Sequence, residues 1–137
     1  STERPRRLVE YLAQLRRVAQ LDVELTLPGH GPPITDHRAL IEERLTFHRE
    51  RGRRILETLD DRCLTSEYLN SETFTGEQVT REPLTAYQIS EILFPELDLV
   101  NTFLAISEVI GHLQWLETEG QVSHTERGGT ARWTRAG

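Results

Sequence analysis

Apolar residues fall at Leu8, Tyr11, Leu12, Leu15, Val18 and Leu21, the three-and-four spacing that lines one face of an α-helix. The period then changes. Across Asp22-Val23-Glu24-Leu25-Thr26-Leu27 apolar and polar residues alternate strictly, which predicts a half-buried strand ended by Pro28. No second strong strand lies nearby, and a solitary strand cannot satisfy its backbone. Two readings stay open: an edge strand of a sheet whose other members precede residue 1, or no strand at all.

After a loop, Asp36 is a fair N-cap. Leu40, Ile41, Leu45, His48, Gly52, Ile55, Leu56 and Leu59 follow at helical spacing, so a long amphipathic helix is expected from His37 to about Leu59. Gly52 inside it costs about 1 kcal/mol relative to Ala unless something packs closely there. The outer face mixes Glu42, Glu43, Arg44, Arg49, Glu50, Arg51, Arg53, Arg54 and Glu57, the signature of a solvated surface. Residues 60–83 keep no period and end at Pro83, so 61–83 read as a long loop or insertion, with a short strand over Gln78–Arg81 left open. Thr85 then caps a short helix from Ala86 to Phe94 closed by Pro95. A second helix face runs from about Asn101 to Leu116 and stops at Gly120. Gln121–His124 and Thr130–Trp133 flank Gly128-Gly129 as a hairpin. The expected fold is mainly α with a small β hairpin. Long helix, short helix, helix and hairpin in that order are the layout of a winged helix.

Composition narrows the setting. The 137 residues suit one ordinary domain, and no apolar run approaches the ~18 residues of a membrane span, so no membrane association is expected and cytoplasm is the default location. Cys63, the single cysteine, cannot form an internal disulfide or a CxxC metal pair, leaving a hydrophobic core to hold the fold. With no methionine the chain lacks its own initiator, and it is expected to be trimmed or cut from something longer. Residues 84–137 carry three arginines against seven acidic residues, a balance that opposes phosphate contact.

The stretch that carries chemistry is Leu27-Pro28-Gly29-His30-Gly31-Pro32-Pro33-Ile34. Glycines on both sides of His30 open backbone conformations closed to other residues, so the imidazole can project from a tight turn at a strand end. On residue chemistry alone a solvated turn histidine is an equal reading. The phrase, continued by Ile34 and Asp36, resembles the last metal-binding motif of the metallo-β-lactamase superfamily, in its glyoxalase-II-like and RNA-cleaving branches. Arg6–Leu21 resembles the helix before that motif, and His48-Arg49 with Ile55-Leu56 the helix after it. Leu84-Thr85, Leu93-Phe94-Pro95, Glu108, His112-Leu113, Leu116-Glu117 and Gly120 resemble the attached winged-helix tail.

The resemblance implies a two-metal, zinc-type hydrolase of esters, thioesters or phosphodiesters, with His30 as one metal ligand. It places residues 1–35 in a helix, strand and loop remnant of an αββα catalytic domain and 36–137 in the winged helix. The family's HxHxDH motif, a further histidine and a bridging aspartate all belong before this point. The chain is therefore expected to be inactive alone, to hold no firmly bound zinc, and to partner its missing N-terminal catalytic domain, with a homo-oligomer left open. No catalytic residue is assigned in this chain.

The other histidines have quieter readings. Glu108 and His112, one helical turn apart, form a His–carboxylate or metal pair only in principle, and hydrogen bonding is the expected role. His48 is expected on the buried side of the long helix, His37 and His124 in exposed positions, and Trp115 and Trp133 in packing. A DNA-binding regulator is the competing function, with a protein-interaction module as a third. The recognition-helix candidate, Asn101–Glu119, contains no arginine and three glutamates, so no DNA is expected.

Overall fold

The computed structural model describes residues 6–69 and 83–136, with residues 62–69 as backbone. The fold is mainly helical with a small antiparallel sheet. The elements are α1 (Arg7–Ala19), α2 (His37–Leu69), β1 (Leu84–Thr85), α3 (Ala86–Leu93), α4 (Leu99–Thr118), β2 (Val122–Arg127) and β3 (Thr130–Arg135).

The run expected as a strand over Asp22–Leu27 is not one. Only Thr26 pairs, in an isolated antiparallel bridge to Ile34, while Leu25 and Leu27 are exposed. Among the described residues no neighbouring strand supplies ladder partners, so the alternation has no sheet to enter. The second correction concerns α2, which continues to Leu69 through ten residues expected as loop. No glycine or proline falls between Gly52 and Gly76, and an established helix adds a hydrogen bond with each residue it extends. The rest of that expected loop and the short strand over Gln78–Arg81 lie outside the described residues.

The C-terminal half follows the expected order. Thr85 accepts from the Gln88 backbone while the Gln88 side chain accepts from the Thr85 N–H, a reciprocal capping box that starts α3. Asp98 accepts from Asn101 N at 2.8 Å and opens α4. At the other end Gly120, at φ +74°, donates to Glu117 O at 3.0 Å and Gln121 N donates to Leu116 O at 2.9 Å. That is a Schellman ending, and its left-handed residue favours glycine. Gly128 and Gly129 both take positive φ, as a two-residue hairpin turn requires. β1 pairs with β3, not with β2, giving the order β1-β3-β2. A two-residue strand is too short for alternation to reveal it.

α4 is the central element. Its Val109, His112, Leu113, Trp115 and Leu116 are buried, and Leu12 of α1, Ile41, Ile55 and Leu59 of α2, Ile89 of α3 and Trp133 of β3 share one core with it. Both tryptophans are packing residues, as expected. Two glycines set the helix spacing. A Cβ at position 111 would lie 3.4 Å from Leu8 Cβ, and one at position 52 would lie 3.1 Å from Trp115 Cζ3 and 3.4 Å from Leu116 Cδ2. Gly52 thus permits α2 to lie against a buried, rigid indole.

This contact reverses the usual sign of a helix substitution. Gly52→Ala would raise helix propensity by about 1 kcal/mol on an exposed surface, but here the methyl group meets aromatic carbon that has no free volume to enter. The expected outcome is a thermal midpoint lowered by a few degrees, measured by circular dichroism, with part of the loss recovered when Trp115→Leu is added.

Candidate functional site

Two groups of side chains stand out. The first is the loop carrying His30. It leaves α1 at Leu21 and enters α2 at His37, and three consecutive residues tie its two ends. Asp36 Oδ1 accepts from Ala39 N at 3.0 Å and caps α2. His37, expected in an exposed position, is buried, and its Nε2–H donates to Leu21 O at 3.0 Å. Arg38 donates from Nε to Ala19 O at 2.9 Å and from a terminal nitrogen to Leu21 O at 3.2 Å. Ala19 O belongs to the last residue of α1 and Leu21 O lies just past it, where orphan acceptors and the negative end of the helix dipole favour a cation. Further out, Thr26 and Ile34 exchange two backbone hydrogen bonds of 2.8 Å.

His30 sits beyond that bridge, exposed and with no hydrogen-bond partner among the described residues. Of the two glycines beside it only Gly31 takes a positive φ, of +94°, so one glycine, not both, supplies the unusual turn. Among the described residues no three His, Cys, Asp or Glu side chains converge as a metal site. The chemistry on offer is one accessible imidazole, fit to be a single donor in a larger set.

The second group lies between α2 and α4. His48 Nδ1 and His112 Nε2 are 3.1 Å apart, and His112 Nδ1 lies 2.8 Å from the backbone oxygen of Glu108. A carbonyl only accepts, so His112 carries its hydrogen on Nδ1 and presents a lone pair at Nε2, to which His48 Nδ1–H donates. The carboxylate of Glu108 is engaged elsewhere, 3.2 Å from Arg51 Nε. The Glu108–His112 spacing therefore serves a side chain to backbone bond, in keeping with the hydrogen-bonding role expected for it. Arg51, expected on the solvated face of its helix, is instead turned inward, and its guanidinium stacks over Phe94, 4.6 Å from the ring centre. His48 faces a groove of about 850 Å³ with Tyr11, Phe47, Ser107 and Gln114. His124, exposed as expected, pairs with Glu117 and leans on Trp133.

Burial holds the His48 and His112 imidazoles below the ordinary value. Arg44 and Arg51 push His48 further down against the pull of Glu108, and for His112 the bond to the Glu108 carbonyl opposes burial. Both are neutral at pH 7, which the donor-to-acceptor chain between them requires.

His37, Arg38 and the histidine pair escape sequence reasoning for one reason. Their partners are backbone carbonyls or a residue sixty-four positions away, and a carbonyl carries no residue identity to read.

Comparison with known proteins agrees with this architecture. Residues 75–136 match the family model of the metallo-beta-lactamase-like C-terminal domain. The probable metallo-hydrolase YqjP of Bacillus subtilis (strain 168) is 35% identical over 127 residues, 93% of this chain and 34% of the relative. Two solved structures align over 96% of the chain and 34% of their own. They are a beta-lactamase domain protein from Burkholderia ambifaria (TM-score 0.68, 24% identity) and a metallo-beta-lactamase family protein from Thermus thermophilus (TM-score 0.62, 30% identity). Over nearly its whole length the chain is thus similar to metallo-beta-lactamase family proteins, and its C-terminal part matches the C-terminal domain of that kind. It spans about a third of the length of these relatives.

The histidine pair generates a pH prediction. With folded values depressed below the unfolded imidazole value of ~6.5, the unfolded chain takes up protons first on acidification. The pair's stability is then complete above that value and lost as pH falls through the folded values. The urea midpoint is expected to drop between pH 7.5 and pH 5.5, and the slope should flatten in a His48→Phe, His112→Leu double variant.

Proposed function

We propose that the chain is the C-terminal part of a two-metal hydrolase acting on an ester, thioester or phosphodiester, and that His30 is one of its metal ligands. The observation that carries the reading is the exposed, unpartnered His30 imidazole at the tip of a loop whose base is tied to two helix ends. Zinc suits a neutral imidazole donor. When bound, a metal pair supplies Lewis-acid polarisation of the scissile group and an activated water. The contribution of this chain is to hold the His30 imidazole outward, on a loop tied at its base to two helix ends. The remaining donors come from outside it, so on its own the chain has neither a closed metal site nor activity.

In the same reading residues 1–35 belong to the catalytic layer and residues 36–137 form a winged helix. Three observations support it: the order α2, α3, α4 and hairpin, β1 as the third strand against β3, and the run from Val23 to Leu27, bonded only through Thr26 to Ile34, whose exposed Val23, Leu25 and Leu27 suit cover by the rest of the catalytic domain. DNA is not the expected partner. α4 holds no arginine and presents Glu108 and Glu117, which repel phosphate. Among the described residues no helix is long and apolar enough to cross a membrane.

The test separates ligand from scaffold. His30→Ala removes an exposed side chain with no hydrogen-bond partner among the described residues, so the unfolding free energy of this chain should stay within about 0.5 kcal/mol of wild type. The same change in the longer protein should abolish hydrolysis and weaken zinc binding. A large loss of stability in the isolated chain would make His30 a structural residue and overturn the assignment.

A further inference from the structure

We infer that His37 and Arg38 are positioning residues for His30: by holding the carbonyls of Ala19, the last residue of α1, and of Leu21 just beyond it, they close the base of the His30 loop and fix where its imidazole stands. The inference rests on the ligand reading of His30 and extends it to two side chains with no motif of their own. A ligand on a long, open loop would sample many positions, and binding a metal would then have to order the whole segment. Here the ordering is in place in two tiers. At the base, His37 Nε2–H and the forked Arg38 guanidinium meet Ala19 O and Leu21 O. Midway, Thr26 and Ile34 are bonded in both directions. Only the segment from Leu27 to Pro33 remains beyond the bridge, and it contains three prolines and Gly31 in its left-handed turn.

The chemistry of the base is specific. Arg38 spans two different carbonyls with two nitrogens, which the single ammonium of a lysine cannot copy. His37 is buried, so its ring is committed to Leu21 O and not to solvent. Asp36 beside them anchors α2, so residues 36–38 join the start of one helix to the end of another. Partners that orient a ligand without touching the metal typically change its affinity 10- to 100-fold when lost.

A cap serving only the end of α1 would show the same hydrogen bonds, and the experiment must separate the two roles. In the intact protein that carries this chain, Zn(II) affinity is measured by chelator competition, and amide exchange is measured without metal. Arg38→Gln is expected to weaken Zn(II) by about 10-fold or more and to speed exchange at Thr26 and Ile34. It should leave exchange in α4 and the metal-free thermal midpoint unchanged. Arg38→Lys should fall between, and His37→Gln, whose amide can still donate to Leu21 O, should stay near wild type. Unchanged Zn(II) affinity in Arg38→Gln, or a loss matched by a lowered metal-free midpoint, overturns the inference while leaving His30 a ligand. Unchanged affinity in His30→Ala overturns the ligand assignment itself, and the inference with it.

Discussion

The close approach of α2 to α4 sets the rest of the structure. At Gly52 the two helices meet with an indole in place of a side chain, and no larger residue would let the axes come so near. From that point the seam extends both ways along α2: His48 reaches His112 one turn before, and Ile55 and Leu59 enter the core one and two turns after. Once α2 is seated, Arg51 is carried to Glu108 and Phe94, which ties the α3 end to the same seam. α1 lies against both helices: Tyr11 meets the His48 ring 6.0 Å away, and Gly111 of α4 makes room for Leu8. The sheet closes the end through Leu84, Val122 and Trp133.

Much of this was legible in the sequence because helix periodicity, caps and glycine turns act within a few residues. Asp36, Thr85, Gly120 and the Gly128-Gly129 turn each announce an element boundary through local chemistry, and each performs it. What stayed hidden depends on partners. The alternation from Asp22 to Leu27 is a real pattern, but alternation describes a strand only where another strand receives it. The continuation of α2 past Leu59 was obscured because its residues lose their apolar period without containing a breaker. Propagation of a helix needs no apolar face, only the absence of interruption. Gly52 lies between these cases: its cost was visible, and its reason, a tryptophan sixty-three positions along the chain, was not.

The site shows the same division. His30 was identifiable because its loop chemistry is concentrated in a short phrase. The residues that seat the loop were not, since Ala19 and Leu21 take part through their carbonyls. His37 illustrates the consequence: a histidine at a helix start reads as solvated, yet the carbonyl of Leu21 draws it inward. The His48–His112 pair is a separate feature, an uncharged link between helices whose proton positions follow from one backbone acceptor.

Because Leu21 and His37 are joined directly, the loop between them begins and ends at nearly the same place. Whatever lies between those two residues can change in length or composition without altering the path of α1 or α2. The segment is thus a natural graft point. Loops of other relatives could be exchanged there with the helical core kept constant, and differences between such chimaeras would report on the loop alone.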